Sequence, residues 1–287
     1  MILVTGATGT VGSALVPALQ VAGADFRVLV RAPERADGLG VDAVIGDLAD
    51  RDTLAAALAG VETLFLLSPA GGFELERAAV GVALEAGVRI VKLSSYNAEF
   101  AEAGIEGAHG EIERQIAAGG GRWTFLRPHA FMQNLLRQAR SVARRGLIVE
   151  PMHGPLPRVD VRDVAAVAAH VLTEGEHDGR AYRISGPEAL DEDAEAAVFS
   201  RALEREVRHA KPSDADAYNG MVAAGITGAA ADAFVALNRW WREHPEHAEP
   251  VDTVERFAGR PPHTLEAFVR EHRDAFGGAD VTLVQNA

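Results

Sequence analysis

The first twelve residues constrain this chain most. Met1 to Thr5 reads MILVT, a short apolar run of the kind that forms a buried strand. It passes straight into Gly6-Ala7-Thr8-Gly9-Thr10-Val11-Gly12, and a helix-like stretch follows from Ser13 to Val21. Strand, glycine turn and helix in that order are the context of a dinucleotide-binding turn. Gly6 lets the chain turn off the strand. Gly9 leaves no side chain between backbone and pyrophosphate, and Gly12 is expected to let the helix pack close to the sheet. The free N–H groups and positive dipole end of that helix then face the phosphates. Gly6, Thr8, Gly9, Thr10, Val11 and Gly12 are therefore assigned to cofactor binding.

Beyond residue 12, strand-like and helix-like segments alternate to about residue 150. Phe26–Val30, Ala43–Ile45, Thr63–Leu67, Arg89–Leu93 and Trp123–Leu126 read as strands. Asp52–Leu58, Glu74–Glu85 and Glu111–Ala118 read as helices. Such alternation predicts an α/β fold, a Rossmann-type doubly wound parallel sheet with right-handed crossovers. Residues 1–150 form the dinucleotide-binding domain on this reading. Glu150–Pro157 is a Pro/Gly-rich break. Residues 151–287 then supply late sheet elements over about 159–185, with a helix at Val161–Leu172 and a strand at Ala181–Ser185. A small, mainly helical substrate lobe follows over about 186–276.

Composition excludes several chemistries. The chain of 287 residues has no cysteine, so disulfides, thiol catalysis and thiolate metal sites are out. A net charge of −13 disfavours a nucleic-acid partner. The run of Arg137, Arg140, Arg144 and Arg145 reads as a solvated helix face. No apolar run is long enough to span a bilayer, and no basic leader precedes the first strand. A cytoplasmic protein with a small-molecule substrate is expected, with no membrane and no nucleic acid. Monomer and dimer are both open. His244-Pro245-Glu246-His247 has its helical spacing broken by the proline, so no metal site is expected.

The end of the second strand selects the nicotinamide cofactor. An acidic residue there would accept from the ribose 2′-OH of NAD. Here the strand ends in Val30-Arg31, and a guanidinium suits the 2′-phosphate, so NADP(H) is expected over NAD(H). Asp47 and Leu48 follow the third strand, where they suit the adenine; the alternative is that an aspartate here caps the next helix, a task open to Asp50 or Asp52. Ligands in such sheets lie beyond the carboxyl ends of the strands. That places Leu67, Ser68 and Pro69 after the fourth strand, Ser94 and Ser95 after the fifth, and Pro128 after the sixth at the cofactor.

With these residues in hand, the chain resembles the NmrA-like branch of atypical short-chain dehydrogenases/reductases. The resemblance rests on Val4 to Gly12, Val30-Arg31, Gly46-Asp47-Leu48, Leu93-Ser94-Ser95, Thr124 to Pro128 and Phe131 to Asn134. It continues through Val159 to Ala165, Ser185 to Glu188 and Gly259 to Phe268, covering nearly the whole chain in order. It implies a Rossmann domain for NAD(P)(H) and a small C-terminal substrate lobe. It also implies the company of quinone and dye reductases and of redox-sensing regulators.

The Tyr-x-x-x-Lys pair of typical short-chain dehydrogenases is missing. There are two lysines, Lys92 and Lys211, and three tyrosines, Tyr96, Tyr182 and Tyr218, and none has that spacing. Candidates for the chemistry are His109, Tyr96 and His129. His109 opens the helix that normally carries the lysine, where Glu113, four residues on, would orient its ring. The expected substrate pocket holds Gly72, Phe73, Tyr96, His129, Phe131, Met132 and Trp240. The reading is an NADPH-dependent reductase passing hydride to a small, apolar or aromatic acceptor such as a quinone, enone, imine or carbonyl. The alternatives are a non-catalytic NAD(P)-sensing regulator and a non-redox enzyme of natural-product metabolism on the same fold.

Overall fold

The structure, a computed structural model, describes residues 1–69, 71–100, 104–149 and 154–277. Ala70, and Glu150 to His153 of the expected Pro/Gly-rich break, lie outside the described residues.

The strands are β1 (Ile2–Val4), β2 (Phe26–Val30), β3 (Asp42–Ile45), β4 (Thr63–Leu66), β5 (Arg89–Leu93), β6 (Trp123–Pro128), β7 (Leu147–Ile148), β8 (Arg180–Ile184) and β9 (Arg208–His209). Seven of them form one sheet in the order β3-β2-β1-β4-β5-β6-β8, every pair parallel. The chain order reverses between β1 and β4, and the crevice for a dinucleotide opens beyond the carboxyl ends of those two strands. β7 and β9 pair with each other away from this sheet.

Two helical layers cover the sheet, because successive strand residues point to opposite faces. Ile2, Val4, Val91 and Leu93 meet α1 (Gly12–Val21) and α6 (Val161–Thr173). Leu3, Leu64, Leu66 and Ile90 meet α2 (Arg51–Ala57), α3 (Phe73–Glu85) and α4 (Gly104–Ala118). Both faces are therefore apolar, and the central strands read as apolar runs. Arg89 and Lys92 of β5 and Arg127 of β6 interrupt these runs as buried charges, and Lys92 is wholly buried.

The later helices are α5 (Ala139–Arg145), α7 (Glu192–Leu203), α8 (Asp214–Ala223), α9 (Gly228–Glu243), α10 (Thr253–Ala258), α11 (Leu265–Glu271) and α12 (Arg273–Gly277). α5, α7, α11 and α12 share a second core with Phe199, Phe268 and Phe276 at its centre. α9 reaches back over the ends of β5 and β6, where Trp241 packs with Tyr96 and Leu156. Among the described residues no helix is long and apolar enough to cross a membrane.

Candidate dinucleotide cleft

The glycine turn holds its form by local necessity. Gly6 has φ +65°, and a Cβ there would lie 2.9 Å from Leu67 Cγ. A Cβ on Gly12 would lie 2.1 Å from Gly6 O and 2.6 Å from Ala7 Cα. Gly12 thus allows the helix to close on its own turn; the close approach expected against the sheet is made to the turn instead. A Cβ on Gly9 meets only Gly6 O, at 3.3 Å. The space beyond Gly9 is open, as a diphosphate requires. Thr8, Gly9 and Thr10 are exposed, while Val11 is turned into the core. α1 has no side-chain cap and no acid in its first turn. Its positive end is left for an anion.

Thr5 ties the two strands that flank the crevice. Its hydroxyl donates to Leu67 O at 2.8 Å and accepts from Leu67 N at 2.8 Å. Arg31, at the end of β2, is exposed and has no ion-pair partner among the described residues. Asp47 is half-buried; its Oδ1 accepts from Ala49 N at 2.9 Å. The cap of α2 is Asp50, which accepts from Asp52 N and Thr53 N.

Past β4 and β5 the structure redraws the expected site. α4 begins at Gly104, so His109 lies inside the helix rather than opening it. Glu113 does not orient it. Its carboxylate takes both Nε and Nη2 of Arg127, at 3.0 and 2.6 Å, and the buried Ser94 hydroxyl at 2.6 Å. A guanidinium fork outbids a distant imidazole for a buried carboxylate. His109 meets Lys92 instead, with Nδ1 3.0 Å from Nζ. Phe73 stands edge-on to the His109 ring, at 5.1 Å between centroids. Burial, and then the Lys92 charge, hold the His109 imidazole well below its ordinary pKa. At neutral pH it is not the charged acid that an unperturbed histidine would be near pH 6.

The other two candidates for the chemistry are buried. Tyr96 is 1 % exposed, and its hydroxyl donates to Glu249 O at 2.6 Å. Burial pushes this phenol up from its ordinary value, against the pull of Arg183. Its role here is to anchor the loop after β5 to the segment before α10. His129 is 3 % exposed, and its Nδ1 accepts from Ala130 N at 2.8 Å. Its proton therefore sits on Nε2, which has no hydrogen-bond partner and lies among the rings of Tyr96 and Trp241. Burial and the Arg158 charge hold His129 well below its ordinary pKa.

Ser94 is spent on Glu113, so its hydroxyl is not free for a ligand. Ser95 is half-buried and donates to Glu106 Oε1 at 3.2 Å. Ser68 donates to Glu76 Oε1 at 2.9 Å, and Gly72 packs against Ser68 and Pro69 O. Pro128 ends β6 inside the core. Met132 packs in the core of the C-terminal helices and lines a small cavity there with Leu156, Arg158 and Leu265, and the half-buried Phe131 packs on the α1/α6 layer. The indole facing Tyr96 and His129 is Trp241; Trp240 stacks on His244 at 4.6 Å between centroids. The helical phase of α9 turns adjacent indoles about 100° apart, so only one of them can face inward.

Glu76, Lys92 and Glu106 were not among the expected site residues. Only Lys92 carried a signal, a charge inside the apolar run RIVKL. The Glu106 carboxyl is perturbed by its burial. Burial pushes it up to about 7, against the Ser95 hydroxyl, the Asn97 N–H and Arg183.

Comparisons with known proteins agree with this architecture. The profile of the NmrA-like family matches residues 1–268. An NAD(P)H azoreductase of Xenophilus azovorans is 36% identical, over 97% of this chain and 100% of its own. A (4-alkanoyl-5-oxo-2,5-dihydrofuran-3-yl)methyl phosphate reductase of Streptomyces griseus is 38% identical, over 96% and 99%. Among solved structures, the NADPH complex of an Escherichia coli NADPH-dependent quinone oxidoreductase superposes with a TM-score of 0.83. It is 27% identical and covers 95% of this chain and 99% of its own. With a Rossmann sheet, a glycine turn on an uncapped helix and a family match over nearly its whole length, the chain belongs to the NmrA-like family.

Proposed function

We propose that this chain, an NAD(P)H-dependent oxidoreductase, prefers NADPH and reduces small, apolar or aromatic acceptors such as quinones, enones, imines or carbonyls. The observation that carries the cofactor reading is the pairing of an open, uncapped glycine turn with an exposed, unpartnered Arg31 at the end of β2. Residues 6 to 12 hold the diphosphate with backbone N–H groups. Arg31 takes the 2′-phosphate as a charged fork. Leu48 and Asp47 border the adenine side. Ser68, Ser95 and His109 border the nicotinamide side, beyond β4 and β5.

When bound, the cofactor supplies a hydride; the chain's part is to position the acceptor and exclude water. Tyr96 and Lys92 do not form the proton-donating pair of typical short-chain dehydrogenases. The tyrosine is engaged by Glu249 O, and the lysine by Glu76, Leu93 O and His109. This favours acceptors whose reduced form needs no strong protein acid. The named activities of the relatives, on azo and quinone acceptors, point the same way. Trp241, Tyr96 and His129 form the rigid aromatic base on which α9 sits over the strand ends.

The test is NADPH consumption with a panel of quinones, enones, imines, carbonyls and dyes. Turnover of at least one electrophilic aromatic class is expected. Tight NADPH binding with no oxidation by any acceptor would replace the reductase with a nucleotide-sensing regulator. Product formation without net NADPH use would indicate a non-redox enzyme.

A further inference from the structure

We propose that Lys92 is a positioning residue acting through His109. It fixes the ring as the neutral tautomer protonated on Nε2, so that the cleft is offered an uncharged hydrogen-bond donor for a ligand oxygen. The proposal rests on the reductase reading only for the identity of that ligand.

Lys92 has as many N–H donors as it meets acceptors. Lys92 is wholly buried on β5, and an ammonium has three N–H groups and no lone pair. It meets three acceptors from three elements. These are Glu76 Oε2 of α3 at 2.5 Å, Leu93 O of β5 at 3.0 Å and His109 Nδ1 of α4 at 3.0 Å. Burial lowers the Lys92 pKa from its ordinary value, and the Glu76 carboxylate, by its charge and its hydrogen bond, pulls the other way and favours the ammonium. With the lysine charged, Nδ1 of His109 must accept, and the ring's single proton sits on Nε2. A second proton would set an N–H against the ammonium.

The charged groups around the ring support this state. Lys92 faces it from β5, and Glu76 lies behind the ammonium on α3. Of the acids on α4, Glu106 is engaged by Ser95, and Glu113 by Ser94 and Arg127. No carboxylate contacts the His109 ring among the described residues. Burial adds to the same end, lowering the affinity of the imidazole for a second proton. Nε2 has no hydrogen-bond partner among the described residues, and His109 is only half-buried, beside Phe73. Glu76 also accepts from Ser68, which follows β4 at the same cleft. One carboxylate thus orders both a serine and, through the lysine, a histidine.

The experiment is long-range ¹H–¹⁵N correlation of imidazole nitrogens in the ligand-free protein, from about pH 5 to 8. Ten histidines are present, and the His109 signal is identified by its loss in His109→Gln. The expected result is an Nε2–H pattern that does not change with pH. In the double variant Glu76→Gln/Lys92→Met, which removes both buried charges together, His109 should titrate with a midpoint moved toward about 6.5 and should mix its tautomers. An Nδ1–H pattern in the parent protein, or a parent midpoint between about 6 and 7, overturns the proposal. So does a folded double variant whose His109 keeps the parent pattern, since burial alone would then explain it. If the double variant does not fold, the parent tautomer decides by itself. No nucleotide is needed, so a failure to oxidise NADPH would sink the reductase reading and leave this result standing.

Discussion

Glu106→Gln will gain about 2–3 kcal/mol of stability relative to the parent between pH 5 and pH 8. The carboxyl is 3 % exposed, and burial raises it from 4.5 to about 7 in the folded protein. Below pH 4.5 it is protonated in both folded and unfolded chains and costs nothing. As pH rises, the unfolded chain loses this proton first. The folded state is then penalised increasingly until pH passes about 7, where the penalty levels off. Glutamine keeps the shape and an oxygen for the Ser95 hydroxyl but never ionises. Urea unfolding of both proteins at the two pH values measures the difference. Parallel pH dependence in the two proteins would show that Glu106 ionises normally.

The second large effect separates folding from binding within one turn. Gly12→Ala places a methyl 2.1 Å from Gly6 O and 2.6 Å from Ala7 Cα. Both are backbone atoms, so the turn itself must open. A cost of about 2 kcal/mol or more is expected, together with loss of nucleotide affinity. Gly9→Ala meets only Gly6 O, at 3.3 Å, a tight approach that a shift of a few tenths of an ångström relieves. Its stability should stay within about 0.5 kcal/mol of the parent. Its affinity for NADPH should fall tenfold or more, because the methyl stands where the diphosphate must approach. Thermal unfolding and nucleotide titration of the two variants together read this contrast. A Gly9→Ala protein that binds as tightly as the parent would place the diphosphate elsewhere.

Most of the sheet was legible in the sequence, because strands buried on both faces are written as apolar runs. Phe26–Val30 and Arg89–Leu93 were read with the bounds the structure shows. β7 and β9 have two residues each, too few to show a period. α4 was read from Glu111 but starts at Gly104. Gly104, Gly107 and Gly110 look like helix breakers in sequence. Gly110 is there because a Cβ would lie 2.2 Å from Ala98 O, so the helix must pass close to the loop after β5. That requirement belongs to packing and leaves no mark in local propensity.

The site divides in the same way. The phosphate turn is local, so its residues could be named from their order. The partners of His109 and Glu113 are set by how α3, β5, α4 and β6 stack. Four residues along one helix suggested that Glu113 holds His109. Across elements, Arg127 claims Glu113, and Lys92 claims His109. Tyr96 and His129 do follow strand ends, as the rule for α/β sheets requires. What the rule does not carry is that α9 brings Trp241 down on them and closes them from solvent. The choice of Trp241 over Trp240 is likewise a matter of helix phase against the sheet.

The central claim is that the opening turn and Arg31 together hold a phosphorylated nicotinamide nucleotide. Titration calorimetry of NADPH and NADH into the parent protein and Arg31→Glu tests it most directly. The account predicts one NADPH per chain, bound more tightly than NADH, and a loss of tenfold or more in NADPH affinity in Arg31→Glu with NADH little changed. No binding of either nucleotide to the parent protein would contradict it.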